Sequence, residues 1–262
     1  MLISQYGELA VIIDKGSKST LLSKYTHDKD MTDETSEKQP TNGASQKETL
    51  ASSVYHSLLE DILAGKLEPG HKLRLQALKN DYNVGNSPLR EALNRLSVNG
   101  MVVREENRGF RVSPASISEL QELIRTRCWL EEIALRESIK NGSDEYDEQI
   151  VLAFHRLSRL APSVGTSYSS PEQENKHREF HQSLLSACNS NILLGYCAQL
   201  HEQTVRYRNL AAVVEYREDH EGEEHEKIRD AVLERDADTA IKILSSHYQI
   251  TAEIVISSGS LN

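Results

Sequence analysis

The 262-residue chain contains only three cysteines, and no two of them have the C-x-x-C spacing. An odd, sparse count without that spacing argues against a cysteine zinc motif and is typical of buried thiols in a reducing cytoplasm. The chain also lacks any apolar run close to the roughly 18–20 residues that span a bilayer. Its first segment, MLISQYGELAVII, contains an acidic residue and has no basic start, which argues against a signal peptide. These absences together predict a cytoplasmic protein.

Aromatic residues are also scarce, at 5%, whereas charged residues make up 27% of the chain, as expected for a mostly helical protein. The net charge of −10 is unevenly distributed: residues 47–114 carry +2, residues 1–46 carry −2 and residues 115–262 carry −10. Local potential rather than total charge governs contact with nucleic acid, so the acidic balance does not exclude DNA. An excess of +2 taken alone is equally compatible with random scatter.

The composition divides the chain into three parts. Residues 1–46 are dominated by small polar and charged residues and are predicted to be a disordered tail. Residues 47–114 are predicted to form a winged helix-turn-helix domain, and residues 115–262 an all-helical domain. The predicted fold class is therefore mainly α, with an N-terminal winged helix-turn-helix followed by an effector-binding bundle of six to seven helices.

The segment from Gly85 to Val112 predicts a helix followed by a two-stranded wing. Ser87 is the predicted N-cap, and Pro88 suits the first helical position. The apolar residues recur at i, i+3, i+4 and i+7, which indicates one buried face: Leu89, Ala92, Leu93 and Leu96. Two earlier helices, from about 49 to 65 and from 75 to 82, complete the predicted domain.

Such a domain places its recognition helix in the major groove of DNA. Arg90 and Arg95 are candidates for contact with bases or phosphates, and Ser87 with the first helical N–H groups is expected to hold phosphate. Arg108 and Gly109, at the tip of the wing, are expected to lie beside the minor groove. Plain solvent exposure is an equally good interpretation of Arg95.

Beyond Pro114 no strand pattern of any length is present, and Ser116 with Glu119 predicts a capping box. The helix that follows is expected to end near residues 141–142. Further helices are predicted at about 145–161, 172–188, 192–212, 219–234 and 237–256. A bundle of this size can enclose an internal pocket.

Four histidines of this region fall on three predicted helices. His177 and His181 are four residues apart and share a helix face, while His225 and His247 each lie on another helix. Neutral imidazoles are common ligands of zinc, nickel, copper and iron, so the four can close a metal site. Taken alone the pattern is weak, because a histidine on an apolar face is more often a hydrogen-bonded core residue.

Arginines of the bundle pose a similar choice. Arg127 and Glu131 are spaced i, i+4, which fits either a surface salt bridge or an arginine aimed into a pocket to bind a carboxylate. Arg206 and Arg208 raise the same question, and at least one of them is expected to face solvent. Arg127 and Arg206 are the predicted effector-binding residues.

Residues 67–112 resemble the DNA-binding domain of GntR-type bacterial regulators, through the pattern LEPGHKLRLQALKNDYNVGNSPLREALNRLSVNGMV…RGFRV. The downstream region resembles the FCD ligand-sensing domain of the FadR subgroup. That likeness rests on R-x-x-L-E at 127–131, F-H at 180–181, E-H-x-x-I at 224–228 and the terminal His247. The resemblance covers residues 50–255. It implies a homodimeric repressor that binds a palindromic DNA operator and responds to a small carboxylate, such as a glutarate-like dicarboxylate.

The resemblance also implies an internal divalent metal, with the ligands His177, His181, His225 and His247. An all-histidine set favours zinc or nickel over magnesium or manganese. The chain departs from the family where Gly85-Asn86 replaces a Ser/Thr-Arg pair, so one arginine contact with DNA is missing. Two alternatives are a metal-dependent enzyme that uses the histidines, and a DNA-binding protein whose metal is purely structural.

Overall fold

The structure is a computed structural model that describes residues 49–106, 108–160, 171–211 and 218–261. The tail predicted at residues 1–46 lies outside the described residues. Within these ranges the chain forms nine helices and three short strands. In chain order they are α1 (Leu50–Leu63), β1 (Lys72–Leu73), α2 (Leu75–Asp81), α3 (Asn86–Val98), β2 (Val102–Glu105), β3 (Gly109–Val112), α4 (Ile117–Asn141), α5 (Asp144–Ser158), α6 (Pro171–Leu185), α7 (Asn191–Leu210), α8 (Glu218–Leu233) and α9 (Ala237–Ser257).

Helices α1–α3 and the strands form a small N-terminal domain, which we call the reading head (residues 50–112). Its antiparallel sheet has the order β1-β3-β2, with Leu73 opposite Phe110 and Val102 opposite Val112. The sequence pattern does not predict β1, because a two-residue strand shows no detectable alternation. The predicted winged helix-turn-helix is confirmed, and the wing carries one more strand than predicted.

The apolar face predicted for α3 is buried. Its four residues are completely inaccessible to solvent: Leu89, Ala92, Leu93 and Leu96. They pack against α1 and the sheet, whereas Arg90, Glu91 and Asn94 on the other face are exposed. This packing turns the polar face of α3 outward on a rigid support.

The start of α3 corrects the predicted capping. The helix begins at Asn86, and its N-cap is Gly85, whose backbone is extended at φ −77° and ψ 169°. Ser87 is therefore the second helical residue, and Pro88 is the third rather than the first. Proline is accommodated there because the first four N–H groups of a helix have no partner within the helix. Each of the two residues therefore lies two helix positions later than predicted, and both stay at the N-terminus of α3.

Helices α4–α9 form the second domain, the helical bundle, and their bounds agree with the predicted helices to within three residues. Helix α4 packs against α7 and α9, α5 against α6, and α8 against α9. The core includes Leu135, Ile150, Phe180, Leu184 and Ile228, all inaccessible to solvent. Among the described residues, no helix is both long and apolar enough to cross a membrane.

The capping box predicted for α4 forms only in part. The Ser116 hydroxyl accepts the Glu119 N–H at 3.2 Å, as predicted. The Glu119 carboxylate does not return to the Ser116 backbone and instead accepts the Tyr207 hydroxyl at 2.7 Å. The Tyr207 oxygen in turn accepts the Ser116 N–H at 3.4 Å. A tyrosine from α7 thus completes the cap and fixes the chain segment that joins the two domains.

Candidate DNA-binding head and candidate metal centre

The exposed side of the reading head presents the residues predicted to contact DNA. Ser87 and Arg90 are exposed at the N-terminal end of α3, and Arg108 and Gly109 are exposed at the tip of the wing. Gly109 has a φ of +94°, a conformation that side chains rarely adopt, so the tight tip requires glycine. The structure therefore presents four of the five predicted residues to solvent, and their contacts with DNA remain predictions.

Arg95 lies differently from the other four. Its guanidinium is 4.2 Å from the centroid of the Tyr55 ring of α1, and its Nη1 donates to the Ser52 hydroxyl at 3.1 Å. Arg95 is only partly exposed, so neither free exposure nor a purely DNA-directed side chain describes it. The contact ties α3 to α1 and helps to hold the recognition helix.

The four predicted metal ligands meet inside the bundle. We call them the histidine cluster: His177 and His181 from α6, His225 from α8 and His247 from α9. Their exposed fractions are only 2–8%, and one nitrogen of each lies within 4.8 Å of one nitrogen of every other. The spacing of i, i+4 on α6 brings the Nε2 atoms of His177 and His181 to 3.1 Å. Three helices thus bring together residues up to 70 positions apart in the sequence.

The donor set of this cluster fits a metal ion. Burial and the neighbouring histidines, His177 first, lower the pKa of His181 well below its usual range, so its imidazole is neutral and keeps a lone pair. A tetrahedral site with Zn–N distances of about 2.0–2.1 Å needs nitrogens roughly 3.3 Å apart. The 3.1 Å separation of His177 and His181 is close to that value. A hydrogen-bonded core histidine needs no such convergence of four rings.

Hydrogen bonds outside the cluster orient two of its rings. Nδ1 of His247 is 2.7 Å from a carboxylate oxygen of Glu224, and Nδ1 of His181 is 3.1 Å from the Tyr248 hydroxyl. A partner on one ring nitrogen fixes the tautomer and leaves the other nitrogen as the donor to a metal. The position of Glu224 therefore suits the support of a ligand.

Arg127 is buried beside the cluster rather than at the surface. Its Nε donates to Glu131 at 2.7 Å, and the exposed fractions of both side chains are 3%. Its Nη2 is 3.0 Å from Nδ1 of His201, and its guanidinium lies 3.8 Å from the centroid of the Tyr248 ring. Of the two interpretations of the Arg127–Glu131 spacing, the structure excludes the surface salt bridge.

Glu131 connects this arginine to the histidine cluster. Its second oxygen accepts the Tyr248 hydroxyl at 2.6 Å, and the same hydroxyl is 3.1 Å from His181. A continuous path of polar contacts therefore leads from Arg127 through Glu131 and Tyr248 to His181.

A second group of polar residues, not predicted from the sequence, adjoins the cluster. We call it the Glu174 group: Glu174 of α6 and His201 and Arg208 of α7. Both oxygens of Glu174 accept Nη2 of Arg208, at 2.7 and 2.6 Å, and one oxygen is 3.5 Å from His201. Nη1 of Arg208 is 3.5 Å from His177. One ligand atom each of Glu174, His177 and His201 also lies within 4.8 Å of the other two, so these three residues are an alternative set of metal ligands.

Electrostatics keep Glu174 ionised. Burial alone would raise its pKa, but Arg208 and then His201 outweigh that effect and hold it well below its usual range. Burial lowers the pKa of His201 to about 3, so this ring is neutral despite its carboxylate neighbour. Glu174 lies three residues before His177 on α6, and His201 lies seven residues before Arg208 on α7. Each pair therefore shares a helix face, and this spacing is the signal in the sequence that could have identified the Glu174 group.

Neither Arg206 nor Arg208 is exposed, although at least one of them was expected to face solvent. Arg206 has an exposed fraction of 3%, donates to the carbonyl of Pro114 and lies away from the histidine cluster. Arg208 is the one that faces the cluster, and neither side chain is fully solvent-facing. The sequence left this question open, because it cannot show which face of α7 is inward.

A winged helix-turn-helix head joined to a helical bundle with buried polar groups defines a two-domain transcriptional regulator. Residues 50–112 match the gntR family of bacterial regulatory proteins, and residues 122–250 match the FCD domain. The chain belongs to the GntR family, and its bundle is an FCD domain of the FadR type. Regulators of this family bind DNA operators, and FCD domains bind small-molecule effectors.

Named relatives agree with this assignment. The chain is 34% identical over 215 residues to the uncharacterized HTH-type transcriptional regulator BphR of Paraburkholderia xenovorans, which covers 81% of this chain and 88% of the relative. It is 30% identical over 198 residues to the HTH-type transcriptional repressor GlaR of Escherichia coli, covering 74% and 90%. The fold resembles that of E. coli McbR/YncC, with a TM-score of 0.66, 21% identity and coverage of 80% and 98%. The protein is a transcriptional regulator of the GntR/FCD type.

Proposed function

We propose that the chain is a homodimeric repressor whose affinity for a palindromic operator is controlled by a small carboxylate bound beside a divalent metal in the bundle. The observation that carries this proposal is the convergence of four buried histidines with two buried or half-buried arginines, Arg127 and Arg208. Imidazoles and guanidinium groups together are suited to a metal and an anion.

The histidine cluster would hold the metal through four neutral nitrogens. Such a set favours zinc or nickel over magnesium or manganese, which prefer oxygen ligands. The ion supplies positive charge in a buried site, where an anionic ligand is otherwise costly to desolvate. Glu224 and Tyr248 support the ligands from behind by orienting His247 and His181.

The charge balance of the pocket supports a dependence of anion binding on the metal. Arg127 is already paired with Glu131, and Arg208 with Glu174, so the two arginines carry no excess positive charge. A carboxylate that enters this site therefore needs further positive charge, which a divalent ion provides. The glutarate-like dicarboxylate predicted from the sequence has a second carboxylate that can reach an arginine while the first lies at the metal.

The reading head would contact one half-site of the operator per protomer. A two-fold dimer presents two recognition helices, and a palindromic operator has the same symmetry. Arg90 is the strongest candidate for a base or phosphate contact, because it is exposed on α3 and, among the described residues, no ion pair is found for it. Arg108 at the wing is the candidate for the minor groove.

We expect Arg90→Ala to weaken operator binding about 5- to 150-fold, since a single arginine contact contributes about 1–3 kcal/mol. Fluorescence anisotropy with the duplex that the wild-type protein selects from a random library measures the effect at fixed salt. Arg156→Ala is the matched control, because Arg156 is equally exposed but lies on α5 of the bundle. Equal losses in the two variants would mean that Arg90 acts only through general charge.

We expect glutarate or another small dicarboxylate to release the same duplex from zinc-loaded protein and to have no effect on metal-free protein. Titration of the preformed complex, with and without a chelator, distinguishes these cases. Acetate and a neutral diamide of similar length are the controls for charge and for the second carboxylate. Tight DNA binding that no acid changes, with zinc present, contradicts the effector proposal and favours a purely structural metal.

A further inference from the structure

Helix α7 contacts the recognition helix of the reading head through two glutamines. Nε2 of Gln199 donates to the carbonyl of Val98 at 3.0 Å, and Nε2 of Gln203 donates to the carbonyl of Asn99 at 3.0 Å. Val98 is the last residue of α3 and Asn99 is its C-cap. The last carbonyls of a helix lack partners within the helix, so the two amides of α7 satisfy groups that otherwise need water.

A third amide of α7 contacts the other supporting helix of the head. Nδ2 of Asn209 donates at 3.0 Å to the carbonyl of Leu63, the last residue of α1. Ten residues of an α-helix span about 15 Å, so three amides distributed over that length contact both helix ends. Contacts this far apart resist rotation of the head about any one of them.

The side of α7 that contacts α3 is opposite the side that faces the Glu174 group. At about 100° per residue, Gln199, Gln203 and Arg206 fall within one sector of the helix. His201 and Arg208 fall roughly 180° away from that sector. Helix α7 therefore presents one face to the Glu174 group and the opposite face to the C-terminus of α3, while Asn209, roughly 80° from Gln199 around the helix, contacts the end of α1.

We propose that Gln199, Gln203 and Asn209 are positioning residues, through which α7 sets the orientation of the recognition helix according to the state of Arg208 and His201. This inference rests on the proposed function, because it describes how occupancy of the pocket reaches DNA. A carboxylate that takes Arg208 from Glu174 loosens the contact between α6 and α7. Displacement of α7 then moves the C-termini of α1 and α3 together and changes the spacing of the two heads on the operator.

A double-mutant cycle on DNA affinity tests this coupling without any small molecule. Arg208→Ala is measured in the wild-type background and in the Gln199→Ala/Gln203→Ala background, with the duplex that the wild-type protein selects. We expect Arg208→Ala to weaken binding at least about 5-fold in the first background and less than about 2-fold in the second. Equal effects in both backgrounds, or no effect in either, overturn the proposal.

Further variants separate positioning from loss of fold. Gln199→Met/Gln203→Met keeps side-chain volume, removes the donors and is expected to behave like the alanine pair, and Arg208→Lys is expected to keep most of the DNA affinity. Gln121→Ala/Gln149→Ala is the matched control, because these glutamines are exposed on α4 and α5. In this control background, Arg208→Ala should weaken DNA binding as much as it does in the wild-type background. Circular dichroism melting must show that all variants are folded.

The outcomes of this cycle are distinguishable from failure of the proposed function. A wild-type protein that no carboxylate releases from DNA contradicts the effector, while the cycle still reports whether Arg208 and the glutamines are coupled. If a carboxylate releases the folded Gln199→Met/Gln203→Met protein from DNA as readily as it releases the wild-type protein, the proposed role of α7 is wrong.

Discussion

Replacing His181 by alanine is expected to weaken zinc binding by more than about 100-fold, since loss of even an outer-shell partner of a ligand costs about 10- to 100-fold. His181 is central to the cluster: its Nε2 is 3.1 Å from His177, and its Nδ1 contacts Tyr248. Competition against a chromophoric chelator gives the affinity, and elemental analysis after dialysis gives the metal content. Saturating zinc should raise the melting temperature of the wild-type protein far more than that of the variant.

Two further histidine variants identify the set of residues that holds the ion. His155→Ala is the matched control, because His155 is exposed on α5 and should bind zinc like the wild-type protein. His201→Ala tests the alternative set of Glu174, His177 and His201. We expect His201→Ala to weaken zinc binding by less than about 100-fold, the upper end for an outer-shell partner and less than the loss in His181→Ala. If His181→Ala retains zinc and His201→Ala loses it, the ion is held by that alternative set.

The helices of this chain are largely predictable because each has a sustained apolar period and a recognisable stop. The stripe of Leu89, Leu93 and Leu96 predicts the buried face of α3 from the sequence alone. The predicted cap of the same helix was wrong by two residues, because Gly85 and Ser87 are both acceptable N-caps and local preference differs little between them. The exact first and last residues of a helix depend on such small free-energy differences, whereas the burial of a whole apolar face does not.

Within the bundle, the sequence could show which residues share a helix face but not which face is inward. His177 and His181 were found because they form an i, i+4 pair, whereas His201 has no histidine at that spacing. The effector-binding role of Arg206 stays a prediction. Arg206 and Arg208 both lie on α7, and only the packing of this helix between the head and the cluster places Arg208, rather than Arg206, beside His177.

Arg127 illustrates how a binding residue can also be essential for the fold. Its charge is buried between Glu131, His201 and the ring of Tyr248. Loss of effector response in an Arg127→Ala protein is therefore ambiguous on its own, because the variant also removes a stabilising partner from the core. Stability must be measured before any functional result from this position is interpreted.

We expect Arg127→Ala to lower the free energy of unfolding by about 3–5 kcal/mol, because it leaves the Glu131 carboxylate buried without its cation. That is a large share of the roughly 5–15 kcal/mol of a typical domain. Equilibrium unfolding in urea measures the loss. Arg136→Ala is the control with exposed partners: the Glu132–Arg136 pair has the same helical spacing on α4 but both side chains are 47% exposed, and Asp238, the second partner of Arg136, is 87% exposed. Exposed pairs contribute about 0–1 kcal/mol.

A double variant separates the buried charge from the lost packing. Arg127→Met/Glu131→Leu removes both charges and keeps most of the volume, so it is expected to be more stable than Arg127→Ala. Recovery should be incomplete, because the hydroxyl of Tyr248 loses its 2.6 Å acceptor on Glu131. If the double variant folds, retains zinc and binds DNA but no longer responds to a dicarboxylate, Arg127 serves the effector as well as the fold. A loss below about 1 kcal/mol in Arg127→Ala itself would show that the pair behaves as an exposed one.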